Sequence, residues 1–369
     1  MNNLDIQIDY NFQNLKELFC NSVRRGEIWE KEKLLKKAKE NHPNFSSKDE
    51  ADLIDWYTNL CELKFIWEYL DIETNREIII HDSHCVQIQG IHGLQTITCN
   101  LPTIEELQIS FEIMALKNHG EWNYSNPFYS FFSQINNIDV RISLVHFSVS
   151  PTICSSNTLS KIFIRKIQQE TLELKNFDLK PHHEKLIFEM LEKKSNVLIA
   201  GSTGSGKTTL LSTMLNHIGT NEHVIILEDT HEIIIPRPSF SYLVSDSKDS
   251  DKRGIKDFCS YALRMRPDRI ILGEMRSEEV IPFLLSMNTG HKGLISTVHA
   301  NNARDALGRV AFLFTLFSGV KNMDYELALK LVCQNLDYVI YLKNRKVTEI
   351  SKVLGQEKGI AYTEDMLSV

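Results

Sequence analysis

Apolar positions recur along the chain with two different periods, and the change of period marks out its segments. Up to about residue 58 the pattern is helical and heavily charged, with the basic run KEKLLKKAKE at 31–40 stopping before His42-Pro43. Ser47 with Glu50 forms a capping-box pattern, and Leu53, Trp56, Tyr57, Leu60 and Cys61 follow at helical spacing, so a helix is expected to begin there. From about 60 to 175 the pattern is mixed. Short apolar strands are expected at 77–80, 86–89 and 95–99, and then a helix opened by Thr103 with Glu106 as a second capping box. Val140, Ile142 and Leu144 alternate with Arg141 and Ser143, and Ile162 and Ile164 alternate with Lys161, Phe163 and Arg165, so both runs read as strands with one apolar face.

Residues 171–180 read as a linker, and Pro181 opens a helix that turns Leu186, Ile187, Met190 and Leu191 inward. Beyond it the order is strand (197–200), glycine-rich loop, helix (208–218) and strand (223–227), with further strands at 269–272 and 293–297. Strand alternating with helix predicts a parallel sheet covered on both faces. The expected architecture is α/β: a helical extension over 1–58, a smaller α+β domain over 59–175 and a P-loop parallel-sheet domain over 176–369.

Composition narrows this picture only at its edges. The chain has 369 residues, 42% hydrophobic and 24% charged, which suits two soluble domains. A net charge of −7 gives no overall electrostatic reason to bind a polyanion, so direct nucleic-acid binding is not expected. The longest apolar run, 310–320, is short of the ~18–20 residues of a membrane span, and the N-terminus lacks the pattern of a secretory signal. A cytoplasmic location is expected. Lys31, Lys33, Lys36, Lys37 and Lys39 could face an anionic membrane or form a solvated helix face. The 7 cysteines form no CxxC pair and are expected to be reduced thiols rather than zinc ligands.

The chemistry concentrates after residue 200. Gly201, Ser202, Thr203, Gly204, Ser205, Gly206, Lys207 and Thr208 read GSTGSGKT, with Thr209 following, between an apolar strand and a helix. Such a loop wraps its backbone N–H groups around phosphate, which side chains at the glycines would obstruct. Lys207 then reaches the β- and γ-phosphates, and Thr208 offers a hydroxyl to Mg²⁺, so ATP and Mg²⁺ are the expected cofactors. The strand at 223–227 runs into Glu228, Asp229 and Glu232, where a carboxylate either orients the attacking water or caps a loop. After the strand at 269–272 comes Gly273-Glu274, with glycine in the place of the aspartate usual in P-loop ATPases. Magnesium is therefore expected to meet Glu274 through nucleotide and water. Arg264, Arg266 and Arg276 could neutralise phosphate, bridge subunits or form surface ion pairs. His291 and His299 flank the strand at 293–297 and either sense the γ-phosphate, carry signals between subunits or serve as structural residues.

Four motifs in this order resemble the hexameric secretion-traffic ATPases of type II and type IV secretion and of type IV pili. They are GSTGSGKTT at 201–209 (Walker A), EDTHE at 228–232 (the Asp box), RMRPDRIILGEMR at 264–276 (Walker B, which reads Gly-Glu in that family too) and TGHKGLISTVHANN at 289–302 (the His box). The resemblance spans roughly residues 60–360. The wording RMRPDR and HAN is similar to the branch that holds type IV secretion ATPases and Tad/Flp pilus assembly ATPases, while the four-cysteine zinc module of type II assembly ATPases is missing.

This resemblance implies a RecA-like ATPase domain with an N-terminal domain that folds over the nucleotide, and Arg141 and Arg165 match the arginines that reach the γ-phosphate. It implies catalytic roles for Lys207, Glu228, Glu274 and His299, a homo-hexamer, inner-membrane secretion or pilus machinery as partner, and peripheral association with the inner membrane. A type IV secretion ATPase is the leading expectation. A Tad/Flp pilus ATPase, a nucleotide-gated scaffold and a DNA translocase are the alternatives.

Overall fold

A computed structural model of the protein describes residues 3–42, 45–81, 83–90, 93–98, 101–150, 160–167, 172–229, 231–233, 235, 237–245, 254–288, 290–320 and 323–367. Cys99, Cys154, Thr230 and Thr289, which the sequence reading included, lie outside the described residues. The chain forms two compact units, 1–168 and 169–369.

The first unit is built around an antiparallel sheet. Its strands are β1 (Asn75–Ile80), β2 (Cys85–Gly90), β3 (Gly93–Thr98), β4 (Phe128–Ile135), β5 (Ile138–Val145) and β6 (Lys161–Lys166), in the order β3-β2-β1-β6-β5-β4. Among the described residues four α-helices precede β1 in the chain: α1 (Asn3–Arg24), α2 (Lys31–Asn41), α3 (Ser47–Glu62) and the short α4 (Trp67–Asp71). Helix α5 (Ile104–Lys117) lies between layers and is therefore apolar on opposite faces. Leu107, Phe111 and Met114 join the sheet core, while Ile109 and Ile113 pack with Leu15, Phe19, Leu34, Leu53 and Leu60 of the N-terminal helices. The helices expected as an extension thus share a core with the sheet domain's own helix. Phe19 is fully buried at its centre, edge-on to Trp29, Trp56 and Tyr57.

Thr103 caps α5 and Glu106 reciprocates, as the sequence predicts. The cap of α3 falls one residue earlier than expected. Ser46 rather than Ser47 accepts from the Asp49 N–H, and Asp49 rather than Glu50 completes the box. The basic face of α2 is engaged with its own unit: Lys33 pairs with Glu27, Lys39 lies 3.0 Å from Glu50, and Lys37 sits over the Trp29 ring.

The second unit holds an eight-stranded sheet ordered β14-β13-β12-β7-β11-β10-β8-β9. The strands are β7 (Val197–Gly201), β8 (Val224–Glu228), β9 (Phe240–Val244), β10 (Arg269–Leu272), β11 (Ile295–Val298), β12 (Tyr338–Lys343), β13 (Lys346–Glu357) and β14 (Ile360–Asp365). From β12 to β9 neighbours are parallel, and the expected parallel sheet is present; β13 and β14 extend it as an antiparallel hairpin that the sequence reading did not include.

Both faces are covered, which explains strands that are apolar at every position. Leu198, Ala200, Leu227 and Leu272 face α8 (Ile255–Ala262), α9 (Val280–Asn288), α10 (Ala303–Phe317) and α11 (Tyr325–Asn335). Val197, Ile199, Ile226 and Ile271 face α6 (Pro181–Glu192) and α7 (Lys207–Leu215). Residues 172–180, expected as a linker, instead place Leu174, Phe177 and Leu179 in this second core. Apolar spacing of two and three residues here serves a 3₁₀ turn at Leu174–Phe177, not a connecting strap.

Candidate nucleotide site

Parallel strands bring the ends of β7, β8, β10 and β11 to one edge of the sheet, and the candidate residues after 200 gather there except His291, which precedes β11, and Arg264 and Arg266, which precede β10. The loop that follows β7 uses its glycines for conformation and room. Gly204 and Gly206 have φ of 72° and 95°, which L side chains resist, and a methyl group on Gly201 would lie 2.6 Å from Leu342 O and 2.4 Å from Ser205 Oγ. Ser205 Oγ is buried without a hydrogen-bond partner. Helix α7 starts at Lys207, so its unpaired N–H groups and positive end point into the loop. Thr208 and Thr209 occupy its first turn.

Lys207 is nearly buried, and its ammonium donates to Ser202 O at 3.0 Å and to His299 Nδ1 at 3.3 Å. Burial pulls its pKa below the usual lysine range, with Glu274 opposing that effect. His299 follows β11 directly, and its Nε2 lies 2.8 Å from Glu274 Oε1. The contact is close but off the line of the ring N–H, which leaves Oε1 buried without an aligned donor. Glu274 Oε2 is paired with Arg276, whose other terminal nitrogen lies 3.7 Å from Asp229. A continuous polar chain, Lys207–His299–Glu274–Arg276–Asp229, therefore crosses from the loop to the end of β8. Burial and then the Lys207 charge lower the His299 pKa, which keeps the ring neutral and Nδ1 able to accept.

Glu228 closes β8 and is 3% exposed. Its Oε1 accepts from the N–H groups of Glu232 (3.1 Å) and Ile233 (2.9 Å), and Oε2 lies 3.2 Å from His231 Nδ1. Burial raises its pKa, against those donors. The loop carrying these groups is pinned by Tyr242 of β9, whose hydroxyl accepts from Ile235 N–H and donates to Ile235 O. Gly273 explains itself against this carboxylate. A methyl group at 273 would meet Glu228 Cγ at 3.2 Å and Leu227 O at 3.4 Å, so Glu228 fills the space beside the position where an aspartate is usual.

His291 is not brought to this edge. It precedes β11 while His299 follows it, and four extended residues at ~3.3 Å each hold the two histidines at opposite ends of the strand. Of the arginines left open by the sequence, Arg276 takes the ion-pair role described above. In the first unit, Arg141 and Arg165 are direct cross-strand partners on β5 and β6, with Glu77 opposite Arg165 on β1. What sequence reasoning missed was the Arg276–Asp229 pair and the Gly273–Glu228 packing, since both join residues far apart in the chain.

The pattern of the family described as Type II/IV secretion system protein matches residues 131–364, well over half of the chain. The chain belongs to that family. Among relatives of this secretion-family member is the type IV secretion system protein VirB11 of Bartonella quintana (strain Toulouse), 28% identical over 339 residues that cover 79% of this chain and 92% of that one. A putative conjugal transfer protein of Mycobacterium tuberculosis is 32% identical over 221 residues, covering 58% of this chain and 62% of its own. The fold is shared with the Legionella pneumophila ATPase DotB (TM-score 0.56, 16% identity, 82% and 79% of the two chains). It is shared likewise with the pilus retraction motor PilT solved with bound ADP (TM-score 0.57, 17% identity, 82% and 81%).

Proposed function

We propose that this protein hydrolyses ATP to power a type IV secretion system, working as a homo-hexamer at the cytoplasmic face of the inner membrane against the machinery embedded there. The observation that carries the reading is the polar chain from Lys207 through His299 and Glu274 to Arg276, laid across the mouth of the glycine-rich loop. The similarity to VirB11, over 79% of this chain and 92% of that one, supports the type IV secretion branch over the pilus alternative. Among the described residues no helix is long and apolar enough to cross a membrane.

In this reading the loop N–H groups and Lys207 hold the β- and γ-phosphates, and Glu228 orients water and takes its proton. Burial makes the Glu228 carboxylate a stronger base, while the donors from residues 231–233 fix its direction. Arg141 and Arg165 would add positive charge at the γ-phosphate. The residues also fit magnesium. Thr208 supplies a hydroxyl, and buried Glu274 Oε1 lacks an aligned donor, which suits water carried by a phosphate-bound cation. Bound there, the ion would neutralise developing charge on the phosphoryl oxygens.

Steady-state phosphate release tests the proposal. Lys207→Ala should abolish turnover, and Glu228→Gln should bind ATP yet turn over at least ~100-fold more slowly. Normal turnover in both variants defeats it, and a wild-type protein that binds ATP without releasing phosphate would be a nucleotide-gated scaffold.

A further inference from the structure

The hairpin between β12 and β13 turns on two residues, Asn344 and Arg345, with φ of 52° and 62°. Two positive φ angles in a two-residue turn define a geometry that ordinarily carries glycine at the second position. Arginine there is strained, and strain of this kind is a reason to look for what the side chain does.

The turn rests on the glycine-rich loop. Arg345 N–H donates to Ser205 O at 3.0 Å, and a methyl group on Gly206 would lie 3.4 Å from Arg345 Cγ and 3.6 Å from its Cα. From the other side Lys346 pairs with Asp178 at 2.9 Å, so the turn is anchored on both flanks. Arg345 is half-buried along the loop, whereas Lys343, Asn344 and Lys346 are exposed. The sheet order decides what lies nearby. Glu228 and Glu274 end β8 and border β10, across β11 from β7, whereas β12 adjoins β7 on its opposite side. A nucleotide with its γ-phosphate toward the carboxylates would then carry its nucleoside end on the β12 side of the loop, toward Arg345.

We propose that Arg345 contacts the nucleoside end of the bound nucleotide, its planar guanidinium lying against the base. This rests on the nucleotide-site reading above. The phosphates already have the loop N–H groups, Lys207 and the α7 terminus, so Arg345 serves nucleoside recognition rather than phosphate charge.

The test uses the full chain and compares binding of ADP with binding of inorganic tripolyphosphate, which lacks the nucleoside. Arg345→Ala and Arg345→Gly should weaken ADP binding by about ten-fold and leave tripolyphosphate binding within about two-fold. Arg345→Gly also separates ligand contact from turn structure. Glycine suits the positive φ, so nucleotide-free thermal stability should be unchanged or higher while ADP binding still falls. Unchanged ADP binding in both variants overturns the inference, as does an equal loss for tripolyphosphate, which would make Arg345 a phosphate residue. Failure of the wild-type protein to bind either ligand would remove the nucleotide site itself and this inference with it.

Discussion

Lys207 Nζ and His299 Nδ1 share a hydrogen bond of 3.3 Å, which requires Nδ1 to be unprotonated and the histidine neutral. Protonating the ring would set two cations against each other, and burial adds to the penalty, so the folded-state pKa of His299 lies below its ordinary 6.5. The unfolded chain then binds more protons than the folded one between the depressed pKa and 6.5. Stability associated with His299 is complete above that window and is lost as pH falls through it. Wild-type protein should therefore lose more thermal stability than His299→Gln between pH 7.5 and pH 5.5, measured without nucleotide. Parallel melting curves over that range would show that the histidine is not held neutral. The His299 side chain is 43% exposed, so the difference is expected to be small.

Restoring the aspartate usual in P-loop ATPases should harm this protein. A side chain at 273 enters space that Glu228 Cγ and Leu227 O already occupy, at 3.2 and 3.4 Å from the first carbon. Gly273→Asp adds a carboxylate beside a buried one as well. The expected result is a stability loss of roughly 1–3 kcal/mol from overpacking and phosphate release reduced at least ~10-fold, as Glu228 is displaced. Gly273→Ala should be milder on both counts. Wild-type turnover in Gly273→Asp would mean that Glu228 does not need its present position.

Phe19 tests whether the N-terminal helices are integral to the first unit. Its ring is fully buried among Trp29, Trp56 and Tyr57, in the cluster that includes Ile109 and Ile113 of α5. Phe19→Ala should cost about 3–5 kcal/mol, read in chemical denaturation of the full chain. If residues 1–58 were a loosely attached appendage, the transition that reports the sheet of the first unit would not move.

What was legible in the sequence was local chemistry. The Thr103–Glu106 cap, the strand Arg269–Leu272 and the glycine-rich loop each need only neighbours within a few residues, and each stands where the pattern places it. Ser46 and Asp49 repeat the pattern of Ser47 and Glu50 one residue earlier, so spacing alone could not separate the two caps. Strand β4 was missed because FYSFFSQI is aromatic on both faces, and its alternation disappears; only pairing with β5 declares it a strand. The β12–β13–β14 addition depends likewise on contacts between distant residues, β12 joining the sheet by pairing with β7. In the site, charge and spacing pointed to Glu228 and Glu274. That Glu228 explains Gly273 depends on two strands being neighbours, which spacing does not encode.

Arg141 and Arg165 supply the last test, because they stand directly opposite each other across β5 and β6. Facing residues in an antiparallel pair have Cβ atoms about 4.5–5.5 Å apart, and like charges there are destabilising by a fraction of a kcal/mol. Glu77, opposite Arg165 on β1, offsets part of that. Folding alone gives no reason to keep both cations, whereas an anion received between them does. Arg141→Ala and Arg165→Ala should each leave the thermal stability of the nucleotide-free protein unchanged or slightly raised. Each should nevertheless slow ATP turnover by ~100-fold or more, the scale on which an arginine at a transferring phosphoryl group acts. Turnover within two-fold of wild type in both variants would remove these arginines from the catalytic site and leave the γ-phosphate to Lys207 and the loop N–H groups.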